Sequence, residues 1–348
     1  ALRTEVYLAV RLQRRAELGA LAGVGDGLAA LWRGVAERFG LEDARALSRS
    51  QLASLTQAEA GVHERVIGYL PARKVGPQAL AGLIRRAYTR GLGEPDCDRG
   101  FAPQALSFLD GAGEERFQPY GYDLLRLHES RVTIELRMLV IESERGTGYQ
   151  AQLVLGALPE EAVVPGPNAE LMFTPLELGF PVDATLGVEF VPNREARRQV
   201  AKRKVDADQI AREEASGDHG PSLEGVERPH LARELEGVLG SGDRPPLLRS
   251  SLLLSLGAGN EEELEERVER LQESYGRVEL HRPAGEQFRL FLGSLPATRF
   301  PLPEYKEHLL PDQVGAMVPH AVSQAGSEIG PYIGHTLSGA RSPVRFDL

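Results

Sequence analysis

The 348 residues carry 40 Lys and Arg against 50 Asp and Glu, a formal net charge of −10, with 42% hydrophobic and 26% charged residues. That is the make-up of an ordinary folded protein, too long for most single cores, and its acidity offers no general attraction to nucleic acid or anionic lipid. The lone cysteine, Cys97 in "EPDCDRG", excludes an internal disulfide framework and argues for a reducing compartment, and no apolar run approaches the ~18 residues that span a bilayer.

The opening "TEVYLAVRL" alternates and predicts a strand from about Glu5 to Leu12. In "DGLAALWRGVAERFG", Leu28, Leu31, Trp32, Val35 and Phe39 mark one helical face, with Asp26 as cap and Gly40 as stop. A second helix starts near "SRSQLASL". A third is "GPQALAGLIRRAYTRGLG", with Pro77 in its first turn and Leu80, Leu83, Ile84 and Ala87 facing inward. "SRVTIELRMLVIESERGTGYQAQLVLGALP" then reads as a long hairpin. Val132, Ile134, Leu136, Met138 and Val140 alternate on one face, a turn lies at Gly146 to Gly148, and the chain returns from Gln150 to Leu158. Paired with the opening strand, this predicts a first helix-on-sheet module over 1–162.

Residues 163–185 are rich in Pro and Gly and form the expected domain connection. A second module over 186–310 begins with the short strand "LGVEFVP" and the long polar helix "NREARRQVAKRKVDADQIAREEASG", with Ala196, Val200, Ala207 and Ile210 near heptad spacing. After a break at "SGDHGPS" come the helix "HLARELEGVLGSG", the strand "LLRSSLLLSLGAG" and the amphipathic helix "NEEELEERVERLQESYG", capped by Asn260. A strand "RVELHRP" and a short helix "EQFRLFLGSLP" complete it. The order predicts an α+β fold of two modules, the second a split-βαβ, ferredoxin-like sandwich. Its expected core holds Val188, Phe190, Leu254, Leu256, Leu264, Val268 and Leu271. Residues 311–348 read as a connecting tail.

Chemical motifs are scarce. None of the four lysines follows a glycine, so the phosphate loop of P-loop enzymes is absent. Gly257 and Gly259 stand between a strand and a helix, but Glu261 to Glu263 would repel a pyrophosphate there, so a plain turn is the better reading. The eight histidines, among them His63, His128, His219, His230, His281 and His308, show no metalloprotease spacing, and one cysteine makes no zinc site. No G-x-S-x-G elbow occurs. Ser323, Ser327 and Ser338 with His320 and His335 leave a small hydrolase as one alternative. The run Arg194, Arg197, Arg198, Lys202, Arg203 and Lys204 could track phosphates, which leaves a nucleic-acid-binding module as another. Following acids that can pair at i,i+4 and the lack of interleaved aromatics favour a solvated or protein-docking helix. No residue is assigned to catalysis, to a cofactor or to a metal.

Three stretches together resemble a known family. The tail "MVPHAVSQAGSEIGPYIGHTLSGARSPVRFDL", with Pro319, Gly330, Tyr332, Gly334, Pro343, Phe346 and Asp347, resembles the approach to the motor domain of VirB-four-like ATPases of conjugation and type IV secretion, which include the TraC, TrbE and CagE groups. Pro192 to Ser222 and Ala72 to Leu92 resemble stretches of the actinobacterial members. The resemblance implies an amino-terminal region, without catalysis of its own, that docks the motor to inner-membrane secretion components and to neighbouring subunits, a hexamer in the full ATPase. It implies a place in the cytoplasm at the inner face of the membrane, and ATP and Mg²⁺ only for the motor. Walker A and Walker B are missing here, so no catalytic residue transfers. On this reading Gly330, Gly334 and Gly339 are turns of a link to the motor, "SPVRF" starts a strand whose sheet is absent, and the missing initial Met fits an excised fragment.

Overall fold

Ser48 shows how local sequence starts the first helix. Its hydroxyl accepts from Gln51 N at 3.2 Å while the Gln51 side chain accepts from Ser48 N at 3.1 Å, a reciprocal cap for α1 (Arg49–Ile67). The computed structural model describes residues 6–10, 46–70, 72–93, 101–111, 113–120, 123, 127, 130–156, 158, 171–215, 223–276, 278–317, 329–335 and 343–346. The expected helix from Asp26 to Gly40 lies outside them. Residues 6–10, which the expected first strand includes, carry no strand. The short strand β1 (Leu47–Ser48) instead joins β3 (Glu115–Pro119), which pairs with β2 (Ala105–Leu109), in a small antiparallel sheet not foreseen from sequence.

Helix α2 (Pro77–Tyr88) starts on Pro77 and buries Ala87 as expected, but it also buries Ala81 and Tyr88, while Leu80 is exposed. The central sheet begins with β4 (Arg131–Ile134), β5 (Leu139–Ser143) and β6 (Gly146–Leu155). The predicted single strand through Val132 and Val140 is thus folded in two, with Val132 opposite Ile141 and Ile134 opposite Leu139. No Gly, Pro or Asn announces this turn. Glu135 N donates to Met138 O at 3.0 Å, and Gly285 N and Arg282 Nε reach in to the Leu136 and Arg137 carbonyls at 2.6 and 2.5 Å. The next turn falls at Glu144 and Arg145, just before the positive-φ Gly146.

Strands β7 (Val182–Val191) and β8 (Leu247–Ala258) continue the same sheet, since β8 pairs with β6 on one side and with β7 along its length on the other. Beyond the reach of these partners, β9 (Leu280–His281) extends the line of β5 against β6, and β10 (Glu307–Leu309) extends the line of β6 against β8. All pairings are antiparallel. Strands from 131–155 and from 182–309 therefore build one seven-stranded sheet, and the Pro-rich stretch does not divide the strands into separate sheets as expected. The insertion of β8 beside β6 is a long-range pairing that no local signal encodes.

Between β7 and β8 rise two helices, α3 (Asn193–Ala215) and α4 (Leu223–Gly240). After β8 comes α5 (Glu261–Ser274), whose Asn260 side chain accepts from Glu263 N at 2.9 Å. Leu264, Val268, Leu271 and Tyr275 are buried against Leu153, Leu254 and Leu256, in the phase expected. Each such side chain contributes roughly 1.5–3 kcal/mol on burial. Phe190, expected in the same core, is 74% exposed, and Val188 is only partly covered. The reason is length: a 14-residue helix spans about 21 Å, roughly half of the 12-residue strand beneath it. Helix α6 (Gln287–Gly293) covers the opposite face with Leu290 and Phe291.

After the short α7 (Pro311–Ala316), β11 (Tyr332–His335) and β12 (Pro343–Arg345) pair with each other. The strand in "SPVRF" thus has a partner within the chain, contrary to expectation. Gly330 takes a φ of 117°, Gly334 lies within β11, and Gly339 is outside the described residues.

Candidate functional site

The basic run predicted from sequence is the first half of α3. Ala196 and Val200 bury one side of that helix with Val191, Leu239 and Leu247, and Asn193 Nδ2 donates to the Leu239 and Pro245 carbonyls at 2.9 Å, which fixes the two helix roots on the sheet. The six cations then divide by their angle around the helix. Lys204 faces α4 and pairs with Glu236 at 2.7 Å, and lower down Asp208 accepts from Arg233 at 2.8 Å. Arg203 lies toward β10. Arg194, Arg197, Arg198 and Lys202 are exposed and carry no ion pair among the described residues. Three of these stand at i, i+4 and i+8, one stripe of a helix.

His308 of β10 lies half-buried near Arg203 and Arg249, and burial first, then the two guanidiniums, hold its imidazole below the ordinary value of 6.5. Because folding lowers its proton affinity, this contribution to stability is complete above pH 6.5 and is lost as pH falls toward the depressed folded value. Its neighbour Glu307 is pushed by burial above 4.5, and its contribution has the opposite sign, being lost as pH rises through the raised value. A His308→Gln variant keeps Glu307, so the difference from wild type isolates the imidazole. Urea denaturation should show the variant gaining on wild type between about pH 7 and about pH 5. An unchanged difference across that range would mean that the imidazole titrates alike in both states.

The glycine turn at Gly257 has a packing explanation. A Cβ on Gly257 would lie 2.6 Å from the Arg90 carbonyl carbon and oxygen, and Gly91, at φ +85°, packs as closely on Ala258. The loop after α2 therefore fills the space beside the turn. Glu263 Oε2 accepts from Gly259 N at 3.2 Å, and Arg267 donates to Gly257 O. Carboxylate and loop backbone stand where a phosphate would need free N–H groups, in accord with the reading as a turn.

A buried polar layer beneath that loop escaped sequence reading. Arg90 Nε donates to Asp183 Oδ2 at 2.7 Å and its Nη2 to Ser294 Oγ at 3.1 Å, with the guanidinium 5.9 Å from the Phe291 ring centre. Gln150 Nε2 donates to Ala87 O at 3.0 Å. Deeper, Gln287 Oε1 accepts from Gln152 N at 2.8 Å, and Ser255 Oγ donates to Gln152 Oε1 at 2.5 Å. These bonds fasten α2 and α6 to the sheet, although Gln152 Nε2 is buried without a hydrogen-bond partner. In an open cleft beside the β4–β5 turn and α5, Arg282 is already engaged by Glu265 at 2.7 Å.

No group of three or more His, Cys, Asp or Glu residues that could hold a metal ion occurs among the described residues. Nor is any helix there long and apolar enough to cross a membrane. Ser323, Ser327, Ser338 and His320, the serines and one histidine of the hydrolase alternative, lie outside the described residues, as does the side chain of His335. Cys97 lies outside them too. In comparisons with known proteins, no protein-family model matches the chain and no curated protein sequence is significantly similar to it.

Proposed function

We propose that this chain is the non-catalytic amino-terminal docking and assembly region of a VirB-four-like conjugation or type IV secretion ATPase. In this role it holds the motor at the inner face of the cell membrane, against inner-membrane channel components and neighbouring subunits. The observation that carries the reading is the order of three resembling stretches, 72–92, 192–222 and 319–347, along one chain. Two of them coincide with features suited to contact. The middle stretch is the root and shaft of a helix whose exposed cations Arg194, Arg197, Arg198 and Lys202 carry no ion pair among the described residues. The last includes a hairpin with Ile329, Tyr332 and Ile333 exposed at 75%, 52% and 63%. ATP and Mg²⁺ belong to the motor, which needs a phosphate-cradling loop and a Lys at the β/γ-phosphates.

Calorimetric titration of the 348-residue chain with ATP and Mg²⁺ should show no saturable binding, and phosphate release should stay at background. A longer chain that continues the reading frame through a P-loop should bind and hydrolyse ATP. Tight binding to the 348 residues would overturn the docking reading, and a longer chain silent in both assays would end the family reading.

A further inference from the structure

The outer face of α5 carries a second charged stripe, opposite in sign to that of α3. Glu262, Glu266, Glu269 and Glu273 are all exposed, at spacings of 4, 3 and 4 that keep them on one face of the helix. Among the described residues only Glu266 of the four has an ion pair, a long one to Arg270 at 3.9 Å. Their apolar counterparts Leu264, Val268 and Leu271 point into the core, so the stripe cannot turn away from solvent.

The two stripes cannot meet within one molecule. Helix α3 leaves the sheet where Val191 pairs with Leu247, and α5 begins just past Ala258, at the other end of β8. Twelve residues of strand separate those ends by about 36 Å. They also lie on different faces, since α5 packs on Leu254 and Leu256 while α3 packs on Leu247, at odd spacing from them along the strand. Each molecule thus bears one basic and one acidic helix at opposite ends, with charges every four residues on the first and every three or four on the second, a rise of about 5–6 Å.

We infer that copies of this chain associate head to tail, the Arg194, Arg198 and Lys202 stripe of α3 on one copy docking against the Glu262, Glu266, Glu269 and Glu273 stripe of α5 on the next. Such a contact is heterologous, so it closes into a ring or runs on as a chain of subunits. The inference gives a location to the neighbouring-subunit contact of the proposed function and rests on that reading for its biological use only. A second copy suits the basic stripe better than a nucleic acid does. The stripe is interleaved with Ala201 and Val205 rather than aromatics, and a long polyanion would run on against the acidic remainder of the chain. Exposed ion pairs are individually weak and screened by salt, so the contact is a weak one that salt dissolves.

Sedimentation velocity of the full chain tests this at about 0.01 M and about 1 M salt, where the Debye length falls from about 30 Å to about 3 Å. Association should weaken at least about tenfold across that range. A chain with Arg194→Glu, Arg198→Glu and Lys202→Glu should be monomeric at low salt, and so should one with Glu262→Arg, Glu266→Arg and Glu269→Arg. Mixed one to one, the two variants should associate again, because each now offers what the other lacks; that restoration also shows both to be folded. The inference is overturned if the wild type is monomeric at low salt, if the α5 variant self-associates like wild type, or if the mixture stays monomeric. It is equally overturned if the only effect of the α3 changes is lost, salt-sensitive binding to DNA. None of these results touches the ATP measurements, which decide the secretion-ATPase reading separately.

Discussion

Replacing Gly257 with alanine should destabilise the protein by about 3 kcal/mol, near the upper end for an overpacked core position. The added methyl would lie 2.6 Å from the Arg90 carbonyl group and 2.8 Å from the Arg90 Cβ. Those atoms are backbone or next to it and cannot rotate aside as the tip of a long side chain can. Relief requires the loop after α2 to lift from β8, which would also pull Arg90 from its partners. Gly82, inside α2, is the matched control: nothing lies within 4 Å of a Cβ there. Its replacement by alanine should stabilise by roughly 1 kcal/mol through helix propensity. Urea midpoints of the two variants should move in opposite directions. A Gly257→Ala midpoint equal to wild type would show that the loop does not rest on the strand.

Arg90→Ala should cost about 2–3 kcal/mol, less than the 3–5 kcal/mol typical of breaking a fully buried ion pair. The reduction follows from the partner. The Arg90 side chain is 7% exposed, but Asp183 is 28% exposed and keeps Arg86 at 3.4 Å, so its carboxylate is not left wholly unpaired. What is lost is the charge-assisted bond to Asp183, the donor to Ser294 Oγ and the guanidinium packed near Phe291. Arg90→Lys retains charge without the planar fork and should recover only a fraction of the loss. Chemical denaturation checks both, and equal stability of Arg90→Ala and wild type would remove this layer from the forces that hold α2 on the sheet.

Elements whose encoding is local were legible in the sequence. Pro77 at a first turn, Asn260 as a cap and the Leu264, Val268, Leu271 and Tyr275 stripe set their helices before any fold was known, because caps and 3.6-residue periodicity act within a few turns. The long helix from Asn193 was legible for the same reason. Only the tertiary structure decided the rest. Alternation in "YQAQLVL" reads as a strand, yet Gln150 and Gln152 are fully buried, because α2 and α6 close over that face; the Gln150 side chain donates to Ala87 O, and Ser255 of β8 donates to the Gln152 side chain. The turn between β4 and β5 rests on donors from Arg282 and Gly285, remote in sequence. Pairing β8 between β6 and β7 merged two expected modules into one sheet and set the charged stripes of α3 and α5 at its opposite ends. Which strand lies beside which depends on contacts a hundred residues apart, and neither propensity nor periodicity records them.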